Sequence, residues 1–295
     1  MFERIHLRGQ PLDLGITLSC GQSFRWQEAG DGVWRGVVQE TLLELVVEGD
    51  SLLWRTFPPG REVLVRDYLR LSDDVSAIYG QLSASDDYLA MLIERYRGLR
   101  LLRQDPAEAL VSFVCSACNG IPRIKAAVEM LAARFGDLVC ELGGQCYHAF
   151  PRIETLALLD PHELRAKPEL GFRSRHVVSV ARQVVERGRG WLSALRGLTY
   201  ERARSELLSL KCVGPKIADC VCLFALDKDE AVPVDTHVRQ IAHRMNLCQS
   251  RSKTVTDCVY RDIVRSFGER YGRLAGWAQQ FLFYDDLRRG RSRLS

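Results

Sequence analysis

Two residues of the 295-residue chain have types and positions that could perform chemistry together, Lys216 and Asp235. Lys216 follows the tight Val213-Gly214-Pro215 turn. A proline suits the first position of a helix, so the lysine belongs in a first helical turn. Unpaired N–H groups and the positive end of the helix dipole disfavour an ammonium there, which favours the neutral amine. A neutral amine is a nucleophile.

Asp235 stands where the N-cap of the next helix belongs. After it, apolar residues recur at the spacing of one buried helix face: Val238, Ile241, Ala242 and Met245. Position alone favours a simple cap for Asp235, and a lysine near a helix start is usually solvated. The combination of the glycine turn, the lysine and the 232–235 Val-Pro-Val-Asp segment raises the odds of a functional role for both residues.

The segment from Leu210 to Arg244 resembles the helix–hairpin–helix and Gly/Pro-Asp signature of the DNA glycosylase superfamily, and specifically the 8-oxoguanine DNA glycosylase/AP lyase family. The resemblance spans nearly the whole chain, because five further segments resemble that family in the same order. They are CGQSFRW (20–26), RLLRQDP (100–106), FVCSACNGIPRI (113–124), LGFRSRHV (170–177) and LAGWAQQFLFYDDLR (274–288).

The N-terminal part of the chain has strand character up to about Pro59. β-forming residues cluster between turns at 23–26, 32–38 and 41–47, which predicts a twisted antiparallel sheet. Pro58-Pro59-Gly60 ends the pattern, and helices are expected at 61–71, 76–81 and 86–97.

Helices dominate from Asp105 onward. Asp105-Pro106 and Asp160-Pro161 each pair an N-cap with a first-turn proline. We therefore expect an α+β chain with a sheet-and-helix domain at 1–104 and a helical domain at 105–295. The resemblance implies a TATA-binding-protein-like sheet packed on a larger, all-helical helix–hairpin–helix glycosylase core.

Composition excludes several classes of protein. With 46% hydrophobic and 26% charged residues, the chain should be an ordinary globular protein. It contains no uncharged apolar run near the roughly 20 residues of a membrane span, and its start does not read as a secretory signal. We expect an intracellular protein without membrane contact, whose ten scattered cysteines are free thiols.

The cysteine spacing argues against a metal cluster. Cys115 and Cys118 form a CxxC, but Cys140 and Cys146 are too loosely spaced to complete a zinc site. Adenine- and pyrimidine-excising relatives carry a C-terminal four-cysteine iron–sulfur cluster, and no cysteine follows Cys258. We therefore expect no side-chain metal site and no required cofactor.

Charge is concentrated between Arg165 and Arg189. This stretch holds seven Arg or Lys against two Glu, a balance of +5 in a chain whose total is +4. A basic run is usually a solvated face, but beside a glycine hairpin it fits contact with a phosphate backbone.

The resemblance implies a pocket for a base flipped out of duplex DNA, formed by Gly21, Cys220, Gln279 and Phe283. Phe283 and Cys220 would sandwich the ring, and the Gln279 amide would read its Watson–Crick edge. The carbonyl of Gly21 would accept the N7 hydrogen that 8-oxoguanine has and guanine lacks.

The resemblance also implies the reaction. Lys216 would attack C1′ of the sugar, Asp235 would stabilise the positive charge that develops, and a Schiff base would allow β-elimination to cut the strand. The expected partner is double-stranded DNA containing 8-oxoguanine, preferably opposite cytosine, bound by a monomer. Its location would be with the genome, in the nucleus or mitochondria of a eukaryote or the nucleoid of a bacterium.

The chain departs from the family in the gap-filling residues. Cys118 stands where the family has an asparagine, with Asn119 beside it, and Phe172 stands where it has a wedge tyrosine. Arg123 and Arg173, which would bond the estranged cytosine, are present. We therefore expect a preference for cytosine that is weaker than usual.

Two further contacts are implied near the nucleophile. His237 would meet a phosphate, although a surface histidine is an equal alternative. In the hairpin, Lys211 and Cys212 replace the usual Pro-Gly. A structural cation there would be held by main-chain carbonyls, those of Leu208, Leu210 and Val213.

Two other functions stay open at this point, a glycosylase for another damaged purine and an inert DNA-binding module. Lys216 argues against a lysine-free alkylbase glycosylase. The presence of both Lys216 and Asp235 argues against an inert module.

Overall fold

The structure is a computed structural model that describes residues 1–165, 167, 169–248 and 254–292. Residues 291 and 292 are described by their backbone alone. Five antiparallel strands form a sheet in the order β1-β5-β4-β3-β2. They are β1 (Glu3–His6), β2 (Trp26–Glu28), β3 (Trp34–Val38), β4 (Thr41–Glu48) and β5 (Ser51–Phe57).

The sheet confirms the antiparallel prediction, but its first predicted strand is displaced. Residues 23–26 were expected to pair, whereas β2 begins at Trp26. The buried Arg25 leaves the sheet because its Nη2 donates to the carbonyl of His148 at 2.5 Å, which ties it to the helical part. Gly36 lies opposite Trp26, whose indole ring fills the place of a side chain: a Cβ there would lie 2.4 Å from the ring.

Three of the N-terminal helices lie close to their predicted places, α2 (Glu62–Tyr68), α3 (Val75–Ser85) and α4 (Asp87–Arg95). The sequence did not predict the short helix that precedes them, α1 (Leu14–Ser19). The buried side chains of α3 and α4 pack with the helical part of the chain, and those of α2 pack with the sheet.

Helices make up most of the remaining chain. They are α5 (Pro106–Cys115), α6 (Ile121–Phe135), α7 (Ile153–Leu158), α8 (Pro161–Arg165), α9 (Arg173–Glu186), α10 (Trp191–Ala194), α11 (Tyr200–Leu208), α12 (Pro215–Ala225), α13 (Thr236–Arg244), α14 (Asp257–Tyr271) and α15 (Ala275–Ser292). None of the helices within the described ranges is long and apolar enough to cross a bilayer. The α+β prediction of a sheet packed on a larger helical core is confirmed.

The helical part also contains a two-stranded hairpin that the all-helical prediction did not include. It consists of β6 (Leu138–Leu142) and β7 (Gln145–His148). Tyr147 packs there with Val37 and Leu42 of the sheet. The hairpin therefore connects the helical part of the chain to the five-stranded sheet.

The centre of the helical core is the pair α5 and α12. Phe113 of α5 stacks on Phe224 of α12 with ring centroids 5.6 Å apart. Asp105 caps α5 by accepting from the N–H groups of Ala107 and Glu108, both at 2.9 Å. Since α5 ends and α12 begins at the same cavity, this packing positions the site.

Glu108 gives the fold a pH dependence that can be measured. Burial raises the pKa of its carboxyl to about 7, against an opposing effect of Arg25. The folded protein therefore keeps a proton that the unfolded chain loses near pH 4.5, so folding stability falls as pH rises from there through 7. We expect the free energy of unfolding to fall by roughly 1–3 kcal/mol between pH 5 and 8.

Glu108→Gln should flatten this decline, which chemical denaturation across the pH range would measure. Glu94→Gln, at an exposed position of α4, is the matched control and should leave the decline in place. An unchanged slope in Glu108→Gln would assign the pH dependence to other groups.

Candidate functional site

Lys216 is the second residue of α12, directly after Pro215 at the first helical position, as the sequence predicts. Its half-buried side chain reaches back to the end of α5. Lys216 Nζ donates to Ser116 Oγ at 2.8 Å and lies 5.2 Å from the centroid of the Phe113 ring. The amine is thereby held by α5 at the edge of a cavity.

Asp235 is the N-cap of α13. Its Oδ1 accepts the N–H of Val238 at 2.9 Å, and Val238, Ile241 and Ala242 are buried as predicted. Met245, the fourth residue predicted for this face, is the C-cap of α13 and is only partly buried. Capping uses one of the two carboxylate oxygens. Because Asp235 also lines the cavity that Lys216 lines, it is placed both as a cap and near the amine.

One cavity of about 870 Å³ brings together most of the predicted site residues. Its walls come from the ends of α5 and α12, the turn before α6, the start of α13 and α15. Residues on its surface include Gly21, Phe24, Phe113, Ser116, Cys118, Asn119, Ile121, Lys216, Val234, Asp235, His237, Tyr260 and Phe283.

Gly21 and Phe283 lie next to each other on the surface of this cavity. Gly21 has a φ of +87°, and a Cβ there would lie 3.2 Å from the Phe283 ring, so both conformation and space favour glycine. Cys220 and Gln279, also predicted for the base pocket, do not line this cavity and are buried, 2% and 4% exposed. The Gln279 Oε1 is buried without a hydrogen-bond partner, a costly arrangement unless a ligand satisfies it.

Cys220 is a neutral thiol. Burial raises its pKa to about 12, even though the neighbouring Lys216 acts in the opposite direction. A protonated thiol is a poor nucleophile. Cys220 can therefore pack against a ring beside Lys216 without competing with the amine.

The turn at 116–120 separates α5 from α6. Cys118 is exposed and has a φ of +50°, and its carbonyl accepts from Arg173 Nη2 at 2.7 Å. Arg173 Nε also donates to the Ala117 carbonyl at 2.7 Å. Asn119 Nδ2 donates to the Cys115 carbonyl at 3.2 Å, and its Oδ1 is buried and unpaired.

Phe172 and Arg123 lie outside the cavity surface. Phe172 is 49% exposed, with the Arg173 guanidinium 4.5 Å from its ring centroid. Arg123 is exposed in the first turn of α6. Arg173 in this structure supports the 116–120 turn, a contact that the sequence did not indicate.

His237 is held by a residue that sequence reasoning missed. Its Nδ1 lies 2.8 Å from Asp286 Oδ2, and Arg244 also pairs with Asp286 at 2.6 Å. Burial alone would raise the pKa of the Asp286 carboxyl, but the contacts with His237 and Arg244 outweigh it and lower that pKa. Asp286 lies three residues after Phe283, on the same face of α15, and that spacing could have revealed it.

A second missed group lies behind Val234. Asp219 is fully buried and accepts hydrogen bonds from Tyr200 and Arg204 at 2.8 and 2.7 Å, and from Tyr260 at 2.5 Å. Tyr260 in turn accepts the N–H of Val234 at 3.4 Å. This network links α11, α12 and α14 to the segment that carries Asp235.

The hairpin before α12 keeps its turn although Lys211 and Cys212 replace the usual pair. Cys212 has a φ of +73°, the left-handed conformation that glycine adopts readily. The side-chain carbonyl of Gln183 accepts the N–H of Lys211 at 2.8 Å, and the N–H of Val213 donates to Leu210 at 3.2 Å.

Family models match both parts of the chain. Residues 4–110 match the N-terminal domain of 8-oxoguanine DNA glycosylase. Residues 111–260 match the HhH-GPD superfamily of base excision DNA repair proteins.

Individual proteins match over nearly the full length. The chain is 31% identical to the N-glycosylase/DNA lyase OGG1 of Arabidopsis thaliana, covering 97% of this chain and 83% of that protein. It is 29% identical to the N-glycosylase/DNA lyase of Saccharomyces cerevisiae, covering 97% and 86%. The 8-oxoguanine glycosylase/lyase of Clostridium acetobutylicum, solved with double-stranded DNA containing cytosine opposite 8-oxoguanine, superposes with a TM-score of 0.86 at 28% identity and 98% coverage of each chain.

Proposed function

Because the chain belongs to the helix–hairpin–helix superfamily of base excision DNA repair proteins, as an N-glycosylase/DNA lyase of the 8-oxoguanine type, we propose that it excises 8-oxoguanine through Lys216. One observation carries the proposal: Lys216 and Asp235, at the starts of α12 and α13, line one cavity with Gly21 and Phe283. The protein acts where the genome is, and double-stranded DNA is its partner.

The first step is displacement at the sugar. The neutral amine of Lys216 forms a bond to C1′ while the bond from C1′ to the base breaks, and the base leaves with the electron pair. Positive charge develops on the sugar, and the Asp235 carboxylate stabilises it. The secondary ammonium that results then gives a proton to the departing base anion.

The second step cuts the strand. The nitrogen lone pair of Lys216 expels O4′ from C1′, and the remaining N–H proton passes to O4′ to leave an imine. The imine acidifies the C2′ hydrogens. Loss of one C2′ proton expels the 3′ phosphate by breaking the C3′–O bond. One covalent intermediate thus serves both glycosylase and lyase steps.

Recognition of the base rests on buried polar groups. The unpaired Oε1 of Gln279 would accept from a ring N–H or exocyclic amine, and leaving it unsatisfied costs roughly 1–3 kcal/mol. The carbonyl of Gly21 would accept N7–H of 8-oxoguanine and would face a lone pair on guanine. Phe283 and Cys220 would pack on the two faces of the ring.

Contacts around the gap would set the preference for cytosine. Arg123 and Arg173 would donate to the estranged base, Phe172 would wedge the stack, and Cys118 with Asn119 would fill the space. His237, oriented by Asp286, would donate to a backbone phosphate.

We also propose a structural cation at the hairpin, held by the carbonyls of Leu208, Leu210 and Val213. The fit is supported by the Leu210 oxygen, which accepts one N–H and has a second lone pair for a cation. Groups of three or more acidic, His or Cys side chains suited to a metal are absent from the described part of the chain, so the ligands would be main-chain.

Cys118→Asn should strengthen the preference for cytosine. Asparagine adds a strong acceptor and two donors at the gap, and it tolerates a left-handed backbone better than cysteine. The ratio of excision opposite cytosine to excision opposite adenine should rise by a factor that corresponds to about 0.5–1.5 kcal/mol, the net value of one hydrogen bond. Single-turnover rates on the two duplexes measure this ratio.

The matched control is Cys212→Asn, another exposed cysteine with a positive φ, which lies in the hairpin. It should relieve similar strain without altering the ratio. An unchanged ratio in Cys118→Asn would show that Asn119 already fills the gap or that the turn runs elsewhere in the complex.

The proposed function is tested with duplexes that carry 8-oxoguanine opposite each of the four bases, in the presence of borohydride. Excision and a protein–DNA adduct, both greatest opposite cytosine, are expected. Duplexes with an alkylated purine distinguish the alternative glycosylase. Excision of that base with none of 8-oxoguanine would overturn the proposal.

A further inference from the structure

Ser116 connects the end of α5 to the proposed nucleophile. It is the C-cap of α5, and its Oγ donates to the carbonyl of Phe113 at 2.6 Å. The same oxygen accepts from Lys216 Nζ at 2.8 Å. Ser116 and Lys216 are 100 residues apart in the sequence and line the same cavity.

The direction of these hydrogen bonds determines what Ser116 offers to the amine. A hydroxyl has one hydrogen and two lone pairs. Because the hydrogen of Ser116 points to the Phe113 carbonyl, Lys216 Nζ meets a lone pair and must donate an N–H. The Ser116 bond therefore does not use the lone pair with which the neutral amine attacks carbon.

Orientation matters here because Lys216 carries its amine on a flexible four-carbon stem. The Phe113 ring, 5.2 Å from Nζ, bounds the amine on one side, and the Ser116 bond fixes one N–H. Holding a nucleophile in a reactive orientation lowers the barrier to attack.

We propose that Ser116 is a positioning residue that orients the Lys216 amine in both chemical steps, a role that rests on the proposed use of Lys216 as nucleophile. It acts through Lys216, so its effect should be the same on excision of a base and on imine formation at a preformed abasic site, where no base is present.

Ser116→Ala is the primary test. Single-turnover excision of 8-oxoguanine and the rate of borohydride trapping on a preformed abasic duplex should each fall about tenfold, which corresponds to about 1.4 kcal/mol, the net value of one hydrogen bond between neutral groups. The Kd for a duplex carrying an uncleavable lesion analogue should stay within about twofold. Ser116→Thr retains the hydroxyl and should recover most of both rates.

Ser85→Ala is the matched control. Ser85 Oγ also donates to a carbonyl three residues earlier at a helix end, that of Leu82 at 2.7 Å, but it belongs to α3, away from the cavity. It should leave both rates unchanged. Ser116→Cys, similar in size with a weak acceptor, provides a second test if Ser116→Ala fails to fold.

Normal rates in Ser116→Ala or Ser116→Cys would overturn the inference. So would a loss confined to excision, which would place the effect in the base pocket, or a loss that Ser116→Thr does not recover. Failure of the unmodified protein to excise 8-oxoguanine, or to be trapped, would instead reject the proposed function.

Discussion

Lys216→Gln is expected to reduce excision and borohydride trapping below detection while duplex binding stays within about threefold of the unmodified protein. An amide has no basic lone pair, so neither attack on C1′ nor an imine can occur. Binding should survive because Lys216 Nζ is directed to Ser116 and the Phe113 ring and is not on an exposed basic surface. Gel trapping and equilibrium titration of the lesion duplex measure the two effects separately.

Lys211→Gln supplies the matched control, since Lys211 is an exposed lysine in the hairpin that precedes α12. Its loss should weaken binding in a salt-dependent way and leave trapping at saturating protein intact. The opposite pattern, with normal turnover and salt-dependent weakening in Lys216→Gln, would make Lys216 a phosphate contact and reject its role as nucleophile.

The geometry around Lys216 and Asp235 could be predicted from sequence where its signals are local. A proline at the first position of α12 and an aspartate before α13 are start signals within a few residues of the groups that they position. The buried face of α13 likewise repeats within one helix. The sheet was recognisable for the same reason, because β3 and β4 are neighbours in sequence joined by a short turn.

Contacts between distant segments could not be predicted in this way. Ser116 reaches Lys216 across 100 residues, and Asp286 reaches His237 across 49. Ser116 and Asp219 are ordinary polar residues in segments with a helical sequence pattern. Their hydrogen-bond partners depend on how α5, α11, α12 and α14 pack. The displaced strand at 23–26 has the same cause, since Arg25 is drawn to a carbonyl 123 residues away.

Two departures from the family pattern share a physical feature. Cys118 and Cys212 both have positive φ, at +50° and +73°. The residues that the resemblance places there, asparagine and glycine, are those that adopt this conformation with least strain. Both turns therefore have the backbone conformation that suits asparagine or glycine, and a cysteine in it carries roughly 1 kcal/mol of strain.

Asp235→Asn should reduce catalysis far more than stability. Asparagine caps helices about as well as aspartate, and its amide oxygen can still accept the Val238 N–H, so the free energy of unfolding should change by less than about 0.5 kcal/mol. Loss of the charge that faces a developing cation should lower single-turnover excision by roughly a hundredfold, the size found when one preorganised electrostatic contact is removed.

Asp74→Asn separates the two roles of such a residue. Asp74 caps α3 by accepting the N–H of Ala77 at 3.0 Å, and it lies outside the cavity. Its substitution should leave excision unchanged, with a stability change as small as that of Asp235→Asn. If Asp235→Asn instead lowers the melting temperature while excision at a permissive temperature is normal, Asp235 is a cap alone. The positive charge on the sugar would then need another stabilising group in the cavity.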